Sequence, residues 1–162
     1  MTTKHAIAIL VNDQPGVLQR VSGLFGRRGF NIESITVGQS EEQGLSRMVI
    51  VTEGDDQTLE QIEKQLYKLI DVIKVVNLSS KPMVSRELAL IKVKAEQAER
   101  PEIKSLADTF RAAVVDIGTR NMMIQVVGDT EKVDALLELL KPYGIQELSR
   151  TGVTAMTRGN AL

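Results

Sequence analysis

The hydrophobic period of the chain changes abruptly at Asn12-Asp13-Gln14-Pro15-Gly16, and this change constrains the fold more than any other feature. Before it, residues 5–11 form an apolar run that reads as a buried strand. After it, Val17, Leu18, Val21, Leu24 and Phe25 recur at helical spacing. Pro15 presets φ near the helical value, Gly16 permits close approach of another group, and Asp13 offers a carboxylate to nearby backbone N–H groups. A strand thus runs directly into an amphipathic helix, and free first-turn amides beside small residues make a seat for a carboxylate.

The pattern continues as helix 16–28, strand 31–38, strand 46–53, helix 58–70 and strand 73–78. Gly29 stops the first helix. Thr58 and Gln61 predict a capping box for the second, whose buried stripe is Leu59, Ile62, Leu66 and Leu69. Ser79-Ser80-Lys81-Pro82 breaks the pattern, and the order then repeats. Strand 88–95 precedes a helix opened by Pro101 and carrying Ile103, Leu106 and Phe110. Strands 113–117 and 122–127 precede a helix capped by Asp129 and carrying Val133, Leu136, Leu137 and Leu140. Lys141, Pro142 and Gly144 stop that helix before a final strand, 145–149. The fold class is α+β, two tandem ferredoxin-like βαββαβ domains over residues 1–79 and 80–162, each a four-stranded antiparallel sheet with two helices on one face.

Units of this size bury only about 60% of their unfolded surface. Strand patterning points to company: Ile7, Ile9 and Val11 alternate with Ala6, Ala8 and Leu10, and Met48 and Ile50 with Val49 and Val51. A sheet with helices on one face carries polar residues on the other unless something covers it. The outer face or the edge of the first sheet is therefore predicted to pack against another chain.

Twenty basic and 21 acidic residues nearly cancel, which argues against a nucleic-acid backbone or an anionic membrane as partner. The absence of cysteine removes disulfides, thiolate metal sites and a thiol nucleophile, and suits a cytoplasmic protein. No apolar run approaches a membrane span of about 20 residues, and the first residues do not read as a signal peptide. His5, the one histidine, has no partners at metal-ligand spacing and reads as structural. No nucleophile, acid–base or phosphate-loop motif is present, so no catalytic residue or metal site is assigned. An RNA-recognition module shares the βαββαβ order, but strands 31–38 and 46–53 lack the aromatics it needs. Gly23 and Gly26 lie inside the first helix; small residues there either let it pack closely on the sheet or line a subunit contact or ligand cleft. Asn31, after Gly29-Phe30, carries an amide able to bind both ends of an amino acid, and with Asp13 across a dimer it closes on one small ligand.

Asp13-x-Pro-Gly-Val-Leu in a βαββαβ unit resembles an ACT domain, the amino-acid-sensing module of biosynthetic enzymes. With Gly23-Leu24-Phe25, 28–34 (Arg-Gly-Phe-Asn-Ile-Glu-Ser), Leu45-Ser46-Arg47-Met48, 59–66, Arg86-Glu87-Leu88 and Phe110-Arg111, the chain resembles the regulatory small subunits of acetolactate synthase nearly end to end. The resemblance implies a non-catalytic subunit in branched-chain amino acid biosynthesis that activates a catalytic large subunit and confers feedback inhibition by valine. It places thiamine diphosphate, Mg²⁺ and FAD in that catalytic partner and no cofactor in this chain. It implies a homodimer through ACT domains, with valine between Asp13, Gln14, Pro15, Gly16, Val17 and Leu18 of one chain and Asn31 and Ile32 of the other. The second domain and the segment 151–159 help contact or respond to the partner, so truncation near Ser80 is expected to leave some activation and weaken valine sensitivity. Asp13 departs from the asparagine frequent in that family; its carboxylate suits the ligand's ammonium and repels its carboxylate. The alternative is an ACT regulator of another biosynthetic enzyme.

Overall fold

In a computed structural model that describes residues 3–159, the chain forms two compact units. The first comprises the chain up to Val84 together with the chain from Val153 onward, and the second is Ser85–Gly152. The sequence-based cut after Ser79 placed the whole C-terminal stretch in the second half.

The first unit contains β1 (Thr3–Asn12), α1 (Val17–Arg27), β2 (Ile32–Gln39), β3 (Leu45–Gly54), α2 (Asp56–Leu66) and β4 (Val72–Asn77). Its antiparallel sheet has the order β2-β3-β1-β4. Ile7 pairs with Ile50 and Ile9 with Met48, so one face of β1 and β3 meets Val21, Leu24 and Phe25 of α1 and Leu59, Ile62 and Leu66 of α2. All of these side chains are buried. Burying one such side chain stabilises the unit by about 1.5–3 kcal/mol, which is why the 3.6-residue stripe decides where each helix lies.

Two helix ends differ from expectation. The cap of α2 is Asp55, whose carboxylate accepts the Thr58 backbone N–H at 2.7 Å, in place of a Thr58–Gln61 box. That bond and the Thr58 hydroxyl hold the Asp55 carboxyl below its ordinary pKa of 3.8. The cap's contribution is therefore present above that value and lost as the pH falls through the lowered one. The helix also ends at Leu66, short of residue 70. At the end of α1, Phe30 N–H donates to the Phe25 carbonyl and Gly29 N–H to that of Gly26, with Gly29 at φ +73°. This is a Schellman closure, and the Phe25 and Phe30 rings meet edge-on at 6.3 Å to complete it. Neither Gly23 nor Gly26 packs on the sheet: a Cβ on Gly23 meets only Arg27, and one on Gly26 meets nothing within 4 Å.

The second unit repeats the plan with β5 (Met83–Lys94, of which Met83 and Val84 belong to the first unit), α3 (Arg100–Thr109), β6 (Ala113–Ile117), β7 (Asn121–Gly128), α4 (Thr130–Leu140) and β8 (Ile145–Arg150), in the sheet order β6-β7-β5-β8. Ala89, Ile91 and Val93 of β5 and Ile124 and Val126 of β7 face Ile103, Val133, Leu136 and Leu140. Pro101 is the second residue of α3, one place in from the expected first position, and Asp129 caps α4 by accepting the Lys132 N–H at 2.9 Å, as the sequence predicts. One buried acid needs a partner here: Glu87 accepts Arg150 Nε at 2.6 Å and the Thr130 hydroxyl at 3.2 Å, while Arg150 also reaches Asp134 at 2.8 Å.

After β8 the chain returns to the first unit as β9 (Thr154–Thr157). Val153 and Ala155, with Leu78 from the short turn after β4, cover Ala6, Ala8 and Val49 on the face of the first sheet away from its helices. Hydrogen bonds fix this cover: Thr36 Oγ1 donates to the Val153 carbonyl at 3.1 Å, Arg47 Nη2 to that of Ala155 at 2.8 Å, and Arg158 N–H to that of Pro82 at 2.8 Å. The apolar outer face of β1 and β3 is thus satisfied within the chain. It does not require a second one, contrary to the reading of that face as a contact between chains.

Candidate functional site

The corner between β1 and α1 is built by backbone alone. Gln14 N–H donates to the Asn12 carbonyl, Val17 N–H to that of Gln14, and Asp13 N–H to that of Gly44 across the sheet. Gly16 is the N-cap at φ +84°, a left-handed conformation that costs glycine nothing, and no side chain caps the helix. The Asp13 carboxylate is therefore free of the capping role its sequence position suggests. The amides of Leu18 and Gln19, lacking acceptors one turn back, are left at the start of α1.

Asp13, Gln14, Pro15 and Gly16 are all exposed here, and Leu18 is 46% exposed. Val17 is not: it is buried in the core beneath α1, so it anchors the corner and presents nothing to a ligand. Asn31 is exposed, and its carbonyl accepts the Thr52 hydroxyl at 2.7 Å; Ile32 is half-buried against the core. These two groups do not meet within one chain. Ile32 pairs with Thr52 and Thr52 with His5, whereas the corner follows Asn12, which pairs with Leu45. From His5 to Asn12 the strand covers some 20–25 Å at about 3.4 Å per residue.

Three further residues define the site's surroundings, and residue-type motifs did not single them out. Arg20, one turn past Gly16, donates from Nε at 3.0 Å and from Nη2 at 2.6 Å to a single oxygen of Asp71. The Asp71 carbonyl in turn accepts Asn12 N–H at 2.9 Å, which fastens this pair to the corner. Tyr67 closes one edge of the sheet: its hydroxyl accepts Val75 N–H at 3.1 Å and donates to the Val75 carbonyl at 3.3 Å, satisfying outward backbone groups of β4. Among the described residues no such side chain caps the other edge, β2. An uncapped edge is a template for strand pairing.

Among the described residues no cluster of His, Cys, Asp or Glu has the arrangement of a metal site. His5 is buried, with Nε2 3.1 Å from the Gly54 carbonyl. No helix among those residues is long and apolar enough to cross a membrane.

Residues 7–74 match the family described as the AHAS small subunit-like ACT domain, and residues 86–159 match the small subunit of acetolactate synthase. A probable acetolactate synthase small subunit of Methanothermobacter thermautotrophicus is 56% identical over 157 residues, covering 96% of this chain and 94% of that protein. The acetolactate synthase small subunit of Mycolicibacterium smegmatis is 51% identical over 158 residues, covering 98% and 93%. The crystal structure of the acetolactate synthase small subunit from Thermotoga maritima superposes with a TM-score of 0.89 at 46% identity, over 98% of this chain and 99% of that one. Both units, the order of their strands and the identity along nearly the whole length agree, and the chain belongs to the acetolactate synthase small-subunit family.

Proposed function

We propose that this chain activates the catalytic large subunit of acetolactate synthase and makes it sensitive to valine. In this reading the first unit is the ACT domain, which binds the effector and dimerises, and the second unit answers to the catalytic partner. The partner carries thiamine diphosphate, Mg²⁺ and FAD; this chain supplies no reacting group and acts in the cytoplasm.

The observation that carries the reading is the uncapped β2 edge set against the Tyr67-capped β4 edge. Antiparallel pairing of β2 with its own copy about a two-fold axis reverses the strand, so one protomer's Ile32 end lies beside its partner's Gln39 end. That is the end of the sheet where Asp13 follows β1. Asn31, 20–25 Å from the corner in its own chain, then approaches the partner's corner across about three strand spacings of roughly 5 Å, past the partner's β2 and β3. With the Asp13 and Asn31 side chains reaching in from the two sides, a separation of that size accepts one amino acid. Asp13 and Asn31 hold its ammonium, the α1 amides its carboxylate, and Leu18 and Ile32 its isopropyl group. A ligand of about eight heavy atoms gives roughly −5 to −7 kcal/mol, hence a Kd near 10–100 μM. Leucine is disfavoured by about 1–3 kcal/mol for its extra methylene.

Reconstitution with the catalytic subunit tests the assignment. The expected result is co-purification, raised acetolactate formation, and inhibition by valine through a coupling free energy of about 1–3 kcal/mol. A chain that neither co-purifies nor changes the rate contradicts it.

A further inference from the structure

We infer that Arg20 is the residue that receives the effector's carboxylate, an assignment that rests on the effector reading above. Two of its three nitrogens are committed to Asp71, which is itself only 15% exposed. The third, Nη1, stands 3.0 Å from the position a Cβ on Gly16 would take, and Cζ stands 3.9 Å from it. Among the described residues Nη1 meets no acceptor, so two charged N–H groups lie over the left-handed glycine of the corner.

The arrangement fits an anion of small size. A guanidinium clamped through one edge keeps the other edge planar and fixed, so little side-chain entropy remains to be lost when a carboxylate docks. The missing Cβ of Gly16 makes the approach possible, and the Leu18 and Gln19 amides reinforce it from below. Asp13 supplies the opposite charge on the same corner. An anion over Gly16 and a cation beside Asp13 describe the two ends of a zwitterionic amino acid, which resolves how a corner bearing a carboxylate accepts a carboxylate ligand. Asp71 acts as a positioning residue.

A purely structural role for Arg20, tying α1 to the approach of β4, makes a different forecast. Calorimetry on the full chain with L-valine and L-valinamide separates the two, using R20Q, R20K and D71N with thermal melts of each. For the binding role, R20Q weakens valine by about tenfold to a hundredfold and removes the preference for valine over valinamide. R20K keeps part of both. D71N, which breaks the same ion pair but leaves the guanidinium, weakens valine by about threefold or less while melting as R20Q does. R20Q and D71N weakening valine equally, or R20Q binding valine as the wild type does, overturns the assignment and leaves the effector reading standing. No valine heat from the wild-type dimer overturns both.

Discussion

Arg150→Met is expected to destabilise the second unit by about 2–4 kcal/mol, a large share of what a small unit has. The Glu87 side chain is 3% exposed, and Arg150 supplies one of its oxygens with both Nε and Nη2, leaving only the Thr130 hydroxyl for the other. Removing the guanidinium strands a carboxylate in a place without water, and the cost lies in that desolvation far more than in a lost attraction. Glu87→Met with Arg150→Met in one chain should recover most of the loss, because no charge is then left unpaired. Urea unfolding, with hydrogen exchange of the β5 and β7 amides to locate the effect, measures both. A single-variant loss under about 0.5 kcal/mol would mean that solvent screens the pair.

Ala8→Asp is the second large effect. In an ordinary ferredoxin-like sheet the face away from the helices is wet, and an aspartate at a central outward position costs little. Here Ala8 is 2% exposed, under Leu78, Val153 and Ala155. A carboxylate inserted there is buried without a partner, and a loss of about 3–5 kcal/mol is expected. In a chain ending at Gly152 the same substitution should cost markedly less, since Val153 and Ala155 have gone and only Leu78 of the cover remains. Truncation near Ser80 therefore removes two things together, the second unit and the lid on the first sheet. Loss of valine sensitivity in such a fragment does not by itself assign the response to the second unit. Equal costs of Ala8→Asp in the full and shortened chains would show that β9 does not cover this face.

Much of this architecture was legible in the residues. The switch of period at Pro15-Gly16, the Gly29 stop and the Asp129 cap are local events, and local chemistry specifies them. The cap of α2 was misplaced by one turn because Asp55 and Thr58 both suit an N-cap and only the backbone path chooses between them. The lid could not be read. That Ala6, Ala8 and Val49 are apolar says they are covered, but the cover comes from a segment about 100–150 residues away, and no spacing rule reaches that far. Gly23 and Gly26 show the opposite failure: two glycines in a helix suggest tight packing, yet neither touches the sheet. Within the candidate site, Asp13, Gly16 and Leu18 are exposed, whereas Val17 belongs to the core because helical periodicity points it inward. Arg20, Asp71 and Tyr67 escaped notice since their roles depend on partners 8 to 51 residues away.

The central claim is that each effector site takes its Gly16 corner from one protomer and its Asn31 end from the other. Mixing the variants Gly16→Val and Asn31→Ala, after unfolding and refolding them together, tests it by valine calorimetry. Each variant alone is expected to lose valine binding while remaining dimeric by size exclusion. The mixture is predicted to regain about a quarter of the wild-type sites, because half of the dimers are mixed and each of those has one intact site. A mixture that binds no more valine than either variant alone would contradict the account.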